Sequence, residues 1–567
     1  MESNGYVTRW QRTFRQAVDP FGVMEGCWQV QRAWWEHPRE LAEELERLRD
    51  GVWQVYRCSW QRFTGISHGN ACPAATYDER FQDRVWEENL FLASTRESYL
   101  LGTRWLMDAI YETPGVSDKT RGRAAFLVRQ LLNATAPTNF FWTNPGALIR
   151  FMETGGRSLV DGFENYAADL RHGSIRMVDT DAFEVGTTLA TTQGTVVLRN
   201  ELVELIQFAP VTPQVHPVPI LLVAPWINKY YILDLTPENS LIRYLVSQGF
   251  TVFVTSWKNA GTELRHTTFE DYMLKGVLAS IEAAREITKA PQVHLVGYCL
   301  GGTIDSALMA WLNRGEASEV PVGHWTLLTT LVDFSAPGEI DLFIDEESIE
   351  FLEKRMATRG YLDGQDMATS FRMLRPNSLI WRYYVSKYLF GESPPAVDVL
   401  YWNMDSTRMP EAMHSFYLRQ FYLHNQLVKK DCLTLAGRPI DLGRITQPLY
   451  VVGTEQDHIT PWQQTFKICS LVKGPVRYAL ATSGHILGIV NPPVDPPKRR
   501  YWVGDATGER DAEGWRDRTD KVSGSWWADW VAWLRPHCGI PQVPPSLGSD
   551  RHPPLSDAPG TYVLERT

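Results

Sequence analysis

The rhythm of apolar and polar positions changes twice along this chain, and each change marks a different architecture. Over residues 1 to about 62, Leu41, Leu45, Leu48, Val52 and Tyr56 recur at spacings of three and four, which predicts a helix with one apolar stripe. Helical periodicity continues to about residue 180, in "ESYLLGTRWLMDAIYET" and "TRGRAAFLVRQLLNATAP". The stretch "FEVGTTLATTQGTVVLRN" (183–200) alternates instead and breaks at Gln193-Gly194, which predicts a hairpin. From about 215, short uniformly apolar runs ("VPILLVAPW", "TVFVTSW", "QVHLVGYC", "HWTLLTTLVDF") are separated by helical ones. The first of these helices is expected to start at Thr236-Pro237 and run to Gly249, the second to span 267–288, and the third to follow Cys299.

Strands that are apolar throughout and alternate with helices imply a mostly parallel, doubly wound sheet covered on both faces. The alternation stops between 335 and about 445 and then resumes with "QPLYVVGTEQDHITPW" and "VRYALATSGHILGIVNPP". A long insertion late in such a sheet reads as a cap. A Trp-rich helix, "GSWWADWVAWL", follows in a tail rich in Pro, Asp and Arg. The expected divisions are a variable Trp-rich helical segment 1–62, a mostly helical domain 63–205, and an α/β domain 206–567 that carries the cap.

Composition narrows the function classes. A chain of 567 residues exceeds one ordinary core. Its net charge of −10 argues against non-specific nucleic-acid binding. The first residues lack the apolar core of a signal peptide, and no apolar run approaches the ~18 residues that span a bilayer. The seven cysteines are scattered and odd in number, which fits reduced thiols in a cytoplasm. Neither a CxxC pair nor a His cluster has zinc-ligand spacing, so no metal is expected. The 22 tryptophans have two readings, a large aromatic core or contact with a hydrophobic material or partner.

The candidate chemistry lies in "VHLVGYCLGG" (293–302), where a strand ends in Gly-x-Cys-x-Gly and runs into a helix. That is the pattern of the nucleophile elbow of the α/β-hydrolase fold. The glycines permit a turn too tight for side chains, and the nucleophile stands at a helix N-terminus, where the dipole favours an anion. The backbone N–H of Leu300 is placed to meet an oxyanion. This fold carries its acid and its histidine downstream, in that order. Asp457 follows "PLYVVG" and His485 follows "VRYALATSG". His485 would move the proton, and Asp457 would hold its ring in one tautomer. Asp333, also at a strand end, competes as the acid, and Asp457 has a second reading as a helix cap. His458, next to the acid, reads either as a pocket hydrogen-bond partner or as a structural histidine. A cysteine rather than a serine matters because its acyl-enzyme is itself a thioester. Transfer from a coenzyme A thioester is then nearly neutral, and the acyl group stays ready for attack by an alcohol.

At these residues the chain resembles the polyhydroxyalkanoate synthases, specifically the long, single-subunit type. The resemblance runs from about residue 78 to the C-terminus. It is carried by "DERFQDRVW", "TAPTNFFWTNPGAL", "INKYYILDLTPENS", "VSQGFTVFVTSWKN", "GYCLGGT", "LRPNSLIWRYYVSKYLFG", "YWNMDSTRMP", "GTEQDHITPW", "SGHILGIVNPP" and "GSWWADWVAWL". It implies polymerisation of (R)-3-hydroxyacyl-CoA onto a growing polyester chain with release of coenzyme A, which is a product and not a cofactor; no cofactor is expected. It further implies a homodimer at the surface of cytoplasmic polymer granules, with granule-associated proteins such as phasins as partners, and it assigns the triad to Cys299, Asp457 and His485. The chain departs from many relatives at Lys258-Asn259-Ala260-Gly261, where they read R-N-P-D. It departs again at Trp226, where they often have a smaller residue and where the loop would supply a second oxyanion N–H. Two alternatives remain: a hydrolase of CoA thioesters or polyester on the same fold, and a non-catalytic granule scaffold.

Overall fold

A computed structural model of the chain describes residues 18–64, 78–173, 175–316 and 319–566. These form two compact units. One comprises the described residues up to Asp179 together with Thr369–Ala396; the other comprises Thr180–Ala368 and the described residues from Val397 onward. The boundary falls ahead of residue 205, because the strands near 200 pair into the sheet of the second unit. Residues 369–396, read from sequence as part of the cap, cluster with the first unit.

The first unit is helical. Its helices include α1 (Val23–Glu36), α2 (Pro38–Thr64), α3 (Leu90–Tyr111), α4 (Asp118–Ala134) and α5 (Arg157–His172). Side-chain oxygens of Asn89 and Ser117 accept N–H groups of the first turns of α3 and α4 and fix where those helices start. The packed face of α2 is not the expected stripe. Glu44 and Cys58 are buried, whereas Leu45, Val52 and Tyr56 are exposed. The face that packs runs through Leu41, Glu44, Leu48, Gly51, Val55 and Cys58, because α3 crosses there and Trp105 Nε1 donates to Glu44 O at 2.9 Å. Cys58 is disulfide-bonded, which corrects the expectation of wholly reduced thiols; Cys27, Cys299, Cys432, Cys469 and Cys538 are free.

The second unit is built on one sheet of eleven strands. In chain order these are β1 (Gly194–Arg199), β2 (Val203–Phe208), β3 (His216–Val223), β4 (Phe250–Trp257), β5 (Val293–Tyr298), β6 (Val322–Leu328), β7 (Leu449–Thr454), β8 (Val476–Ala481), β9 (Arg500–Asp505), β10 (Lys521–Ser523) and β11 (Ser556–Asp557). Across the sheet they lie in the order β10-β9-β8-β7-β6-β5-β3-β4-β2-β1-β11. The strands from β8 to β4 in that order are parallel, and the flanking pairs are antiparallel. This is the α/β-hydrolase fold. β4, β5 and β7 are buried along their whole length, as their continuous apolar sequences require.

Two local expectations are corrected. The hairpin is not formed within 183–200; β1 pairs with β2, and the turn is closed by Asn200, whose Oδ1 accepts the N–H groups of Leu202 and Val203. The helix expected from Thr236 starts at Leu241 instead and ends at Ser247. Ser240 is its cap, with Oγ accepting from Arg243 N, while Pro237–Asn239 forms a single 3₁₀ turn. Among the described residues no helix is long and apolar enough to cross a membrane.

Candidate active site

The site begins at the end of β5. Cys299 connects that strand to helix α6 (Leu300–Leu312) with φ 52° and ψ −116°, a backbone conformation that L-residues rarely adopt. The turn closes only because its neighbours lack side chains. A Cβ on Gly297 would lie 2.2 Å from Gly302 Cα, and one on Gly301 would lie 2.1 Å from the carbonyl oxygen of Val223. The elbow is tied to the next strand by Cys299 N–H, which donates to Leu328 O at 2.9 Å, and by Thr330 Oγ1, which donates to Cys299 O at 3.3 Å. Cys299 is half-buried. Leu300 opens the helix, so its N–H has no acceptor within the helix and faces the end where negative charge is favoured.

Asp457 and His485 reach the same end of the sheet from the loops after β7 and β8. The two loops are joined by Gln456 N–H, which donates to Ser483 O at 2.9 Å. The oxygens of Asp457 divide their work. Oδ1 accepts the N–H groups of Ile459 and Thr460, both at 2.9 Å. Oδ2 accepts from Thr454 Oγ1 at 3.0 Å, Thr460 Oγ1 at 2.8 Å and His485 Nδ1 at 2.7 Å. One carboxylate therefore both caps a turn and orients an imidazole, so its two sequence readings are compatible. Burial favours the neutral acid, but the His485 ring and these donors outweigh it and hold the carboxyl below its ordinary range. For His485, burial opposes charge, yet the Asp457 carboxylate and the nearby Cys299 sulfur prevail and push the imidazole up to about 10. The ring of Tyr298 stacks on His485 with centroids 5.8 Å apart.

The other candidates fall as follows. Asp333 takes no part in this cluster: its Oδ1 accepts from Asn425 Nδ2 at 3.0 Å and it pairs with Lys467 at 3.3 Å. His458 is half-buried beside Asp457. Trp226 lies on the loop that leaves β3, the strand whose Val223 is in register with Gly297. Its carbonyl accepts from Thr407 Oγ1 at 2.9 Å, and its ring is buried against Phe269, Tyr272 and Tyr417. Tyr417 and Tyr422, from the insertion, were not singled out from sequence. Tyr417 is buried and Tyr422 half-buried, and the Cys299 sulfur adds to the burial that raises each phenol above its ordinary range. Their signal in the sequence is only an aromatic-rich helical run, "FYLRQFYL". Among the described residues no group of three or more His, Cys, Asp or Glu is arranged to hold a metal ion.

Comparison with known proteins adds two family matches. Residues 77–245 match the N-terminus of poly-beta-hydroxybutyrate polymerase, and residues 232–492 match the alpha/beta hydrolase fold. The poly(3-hydroxyalkanoate) polymerase subunit PhaC of Cupriavidus necator is 40% identical over 494 residues, covering 86% of this chain and 83% of that protein. The poly(3-hydroxyalkanoate) polymerase of Methylorubrum extorquens is 42% identical over 494 residues, 86% of this chain and 80% of that protein. The corresponding subunit of Rhizobium meliloti is 38% identical over 541 residues, 95% of this chain and 88% of that protein.

Proposed function

Because the chain belongs to the poly(3-hydroxyalkanoate) polymerase family, we propose that it is an acyltransferase that polymerises (R)-3-hydroxyacyl-CoA through Cys299, His485 and Asp457. The observation that carries this reading is a thiol, not a hydroxyl, at the strained elbow, with an imidazole held by a buried carboxylate on the loops at the same end of the sheet.

The chemistry follows from the groups present. The Cys299 sulfur, with its proton passed to His485, attacks the thioester carbonyl and forms a tetrahedral oxyanion. The N–H of Leu300 is one proposed donor to that oxygen, and the loop at Trp226 is the proposed source of the second. The C–S bond to coenzyme A breaks, and its sulfur leaves with the proton from His485. The acyl group is now a thioester on Cys299. A hydroxyl then gives its proton to His485 and attacks this carbonyl; an ester bond forms, and Cys299 is released. The hydroxyacyl group carries its own hydroxyl, so the product can be extended. Asp457 keeps Nδ1 of His485 protonated, leaving Nε2 for these transfers. Such chemistry needs neither metal nor cofactor. The same reading has the enzyme work as a homodimer at the surface of cytoplasmic polyester granules, alongside proteins such as phasins. The exposed rings of Trp28, Trp35, Trp53, Trp60 and Trp142 on the first unit support that placement.

The test is to give purified protein (R)-3-hydroxybutyryl-CoA and to measure free thiol and polymer mass together. Thiol release matched by polymer is expected, with a quenched acyl adduct on the peptide containing Cys299. Thiol release without polymer would instead make the protein a hydrolase.

A further inference from the structure

Beside the sulfur, the second unit carries a cluster of rings that the transfer chemistry does not use. The Trp226 ring meets Phe269 edge-on at 6.1 Å and Tyr417 edge-on at 5.8 Å, and leans on Tyr272 at 6.0 Å. Tyr417 in turn contacts Tyr422 at 5.4 Å, and the nearby Cys299 sulfur adds to the burial that raises both phenols. Trp226 is thus one ring removed from the residues around the sulfur. It sits on the loop that leaves β3, the strand adjacent to β5, three residues past Val223, which is in register with Gly297. Its backbone is pinned by Thr407 and its ring is held edge-on from two sides, so it cannot swing away to make room. A second observation concerns its polar edge. The indole Nε1 is fully buried and has no hydrogen-bond partner. A tryptophan that only packs in a core usually finds an acceptor for this N–H. One whose acceptor arrives with a ligand does not have one beforehand.

We propose that Trp226 is a specificity-determining residue that closes the acyl site and restricts it to (R)-3-hydroxyacyl thioesters with short side chains, of methyl or ethyl size. The inference rests on the acyltransferase reading above. A rigid wall discriminates by size because an alkyl chain longer by several methylenes must either displace fixed rings or stay in water. Each methylene refused or admitted changes the rate by about tenfold or more.

The experiment compares kcat/KM for coenzyme A release from (R)-3-hydroxybutyryl-CoA and (R)-3-hydroxyoctanoyl-CoA in the wild type, Trp226→Ala and Trp226→Phe. The ratio of the two substrates within one protein is the readout, so partial misfolding lowers both rates and leaves the ratio intact. The wild type should favour the four-carbon substrate by about a hundredfold or more. Trp226→Ala should move the ratio toward the eight-carbon substrate by about tenfold or more, and Trp226→Phe, which keeps a ring, should hold it within about threefold of the wild type. A wild type that uses both substrates equally, or an Ala variant with the wild-type ratio, overturns the inference while leaving the acyltransferase reading standing. A wild type that releases thiol from neither substrate removes that reading, and the inference with it.

Discussion

Asp457 and His485 are both buried, so a charge on either is tolerated only because of the other. This has a measurable consequence for pH. The folded protein holds the His485 proton up to about 10, whereas the unfolded chain releases it near 6.5. The stabilisation from this group is therefore complete below about pH 6.5 and is lost as the pH climbs through 10. In thermal melts, the Tm of the wild type should fall with rising pH over that window more steeply than the Tm of His485→Asn. Asp457→Asn removes the largest influence that raises the imidazole. The alkaline limit of kcat/KM should then move to lower pH, with kcat reduced on the order of 10²–10⁴-fold as the ring loses its tautomer. Cys299→Ala should reduce thiol release by on the order of 10³-fold or more and abolish the acyl adduct.

Strand ends and turns decide whether these residues can meet. Gly301→Ala would place a Cβ 2.1 Å from a backbone carbonyl of the neighbouring strand, which cannot rotate away. The elbow must shift instead, and a displacement of ~1 Å costs about 10²-fold in rate. Gly102, inside α3, has nothing within 4 Å of its would-be Cβ, so Gly102→Ala should stabilise the protein by about 0.5–1 kcal/mol and leave kcat unchanged. Assaying and melting the two variants side by side separates loss of elbow geometry from loss of helix entropy. The same elements explain what was readable beforehand. β3 to β8 are buried on both faces, so their sequences are continuously apolar and stood out. The pairing of Asp457 with His485 was readable because each lies within a few residues of the end of such a strand. β9, β10 and β11 were missed because they lie toward the rims of the sheet and, Tyr501 apart, are half or wholly exposed, so no apolar pattern marks them. The cap of the helix at Leu241 was misread because Thr236-Pro237 has the composition of a helix start, while Ser240 makes the bond. Tyr417 and Tyr422 were invisible as site residues, since nothing local to an aromatic helix indicates a sulfur on a distant strand.

Each unit of the molecule also has its own internal fastening. In the first, Lys387 and Asp169 form an ion pair with side chains only 1% and 4% exposed. Arg176 Nε and Tyr388 Oη also donate to Asp169, and Lys387 Nζ donates to Arg176 O. This cluster ties the segment 369–396 to α5. Asp169→Asn leaves the buried ammonium without its countercharge and should cost about 3–5 kcal/mol. Lys387→Met should cost less, because Arg176 and Tyr388 stay on the carboxylate. Hydrogen–deuterium exchange of Arg157–His172 should report that order. The 22 tryptophans also divide between the units. Trp325, Trp526, Trp527 and Trp530 are deep in the second unit, as the aromatic-core reading expects, while Trp28, Trp35, Trp53, Trp60 and Trp142 are exposed on the first.

The pairing of β1 with β11 has a consequence for biogenesis. Thr195 and Ser556, bonded across that seam, stand 361 positions apart, and Glu204 on β2 accepts from Thr561 and Tyr562. On a translating ribosome, the flank of the sheet that emerges first must therefore wait, uncovered, until nearly all the remaining residues have been made. Throughout that interval it offers a bare ladder of amides and carbonyls to any neighbouring nascent chain.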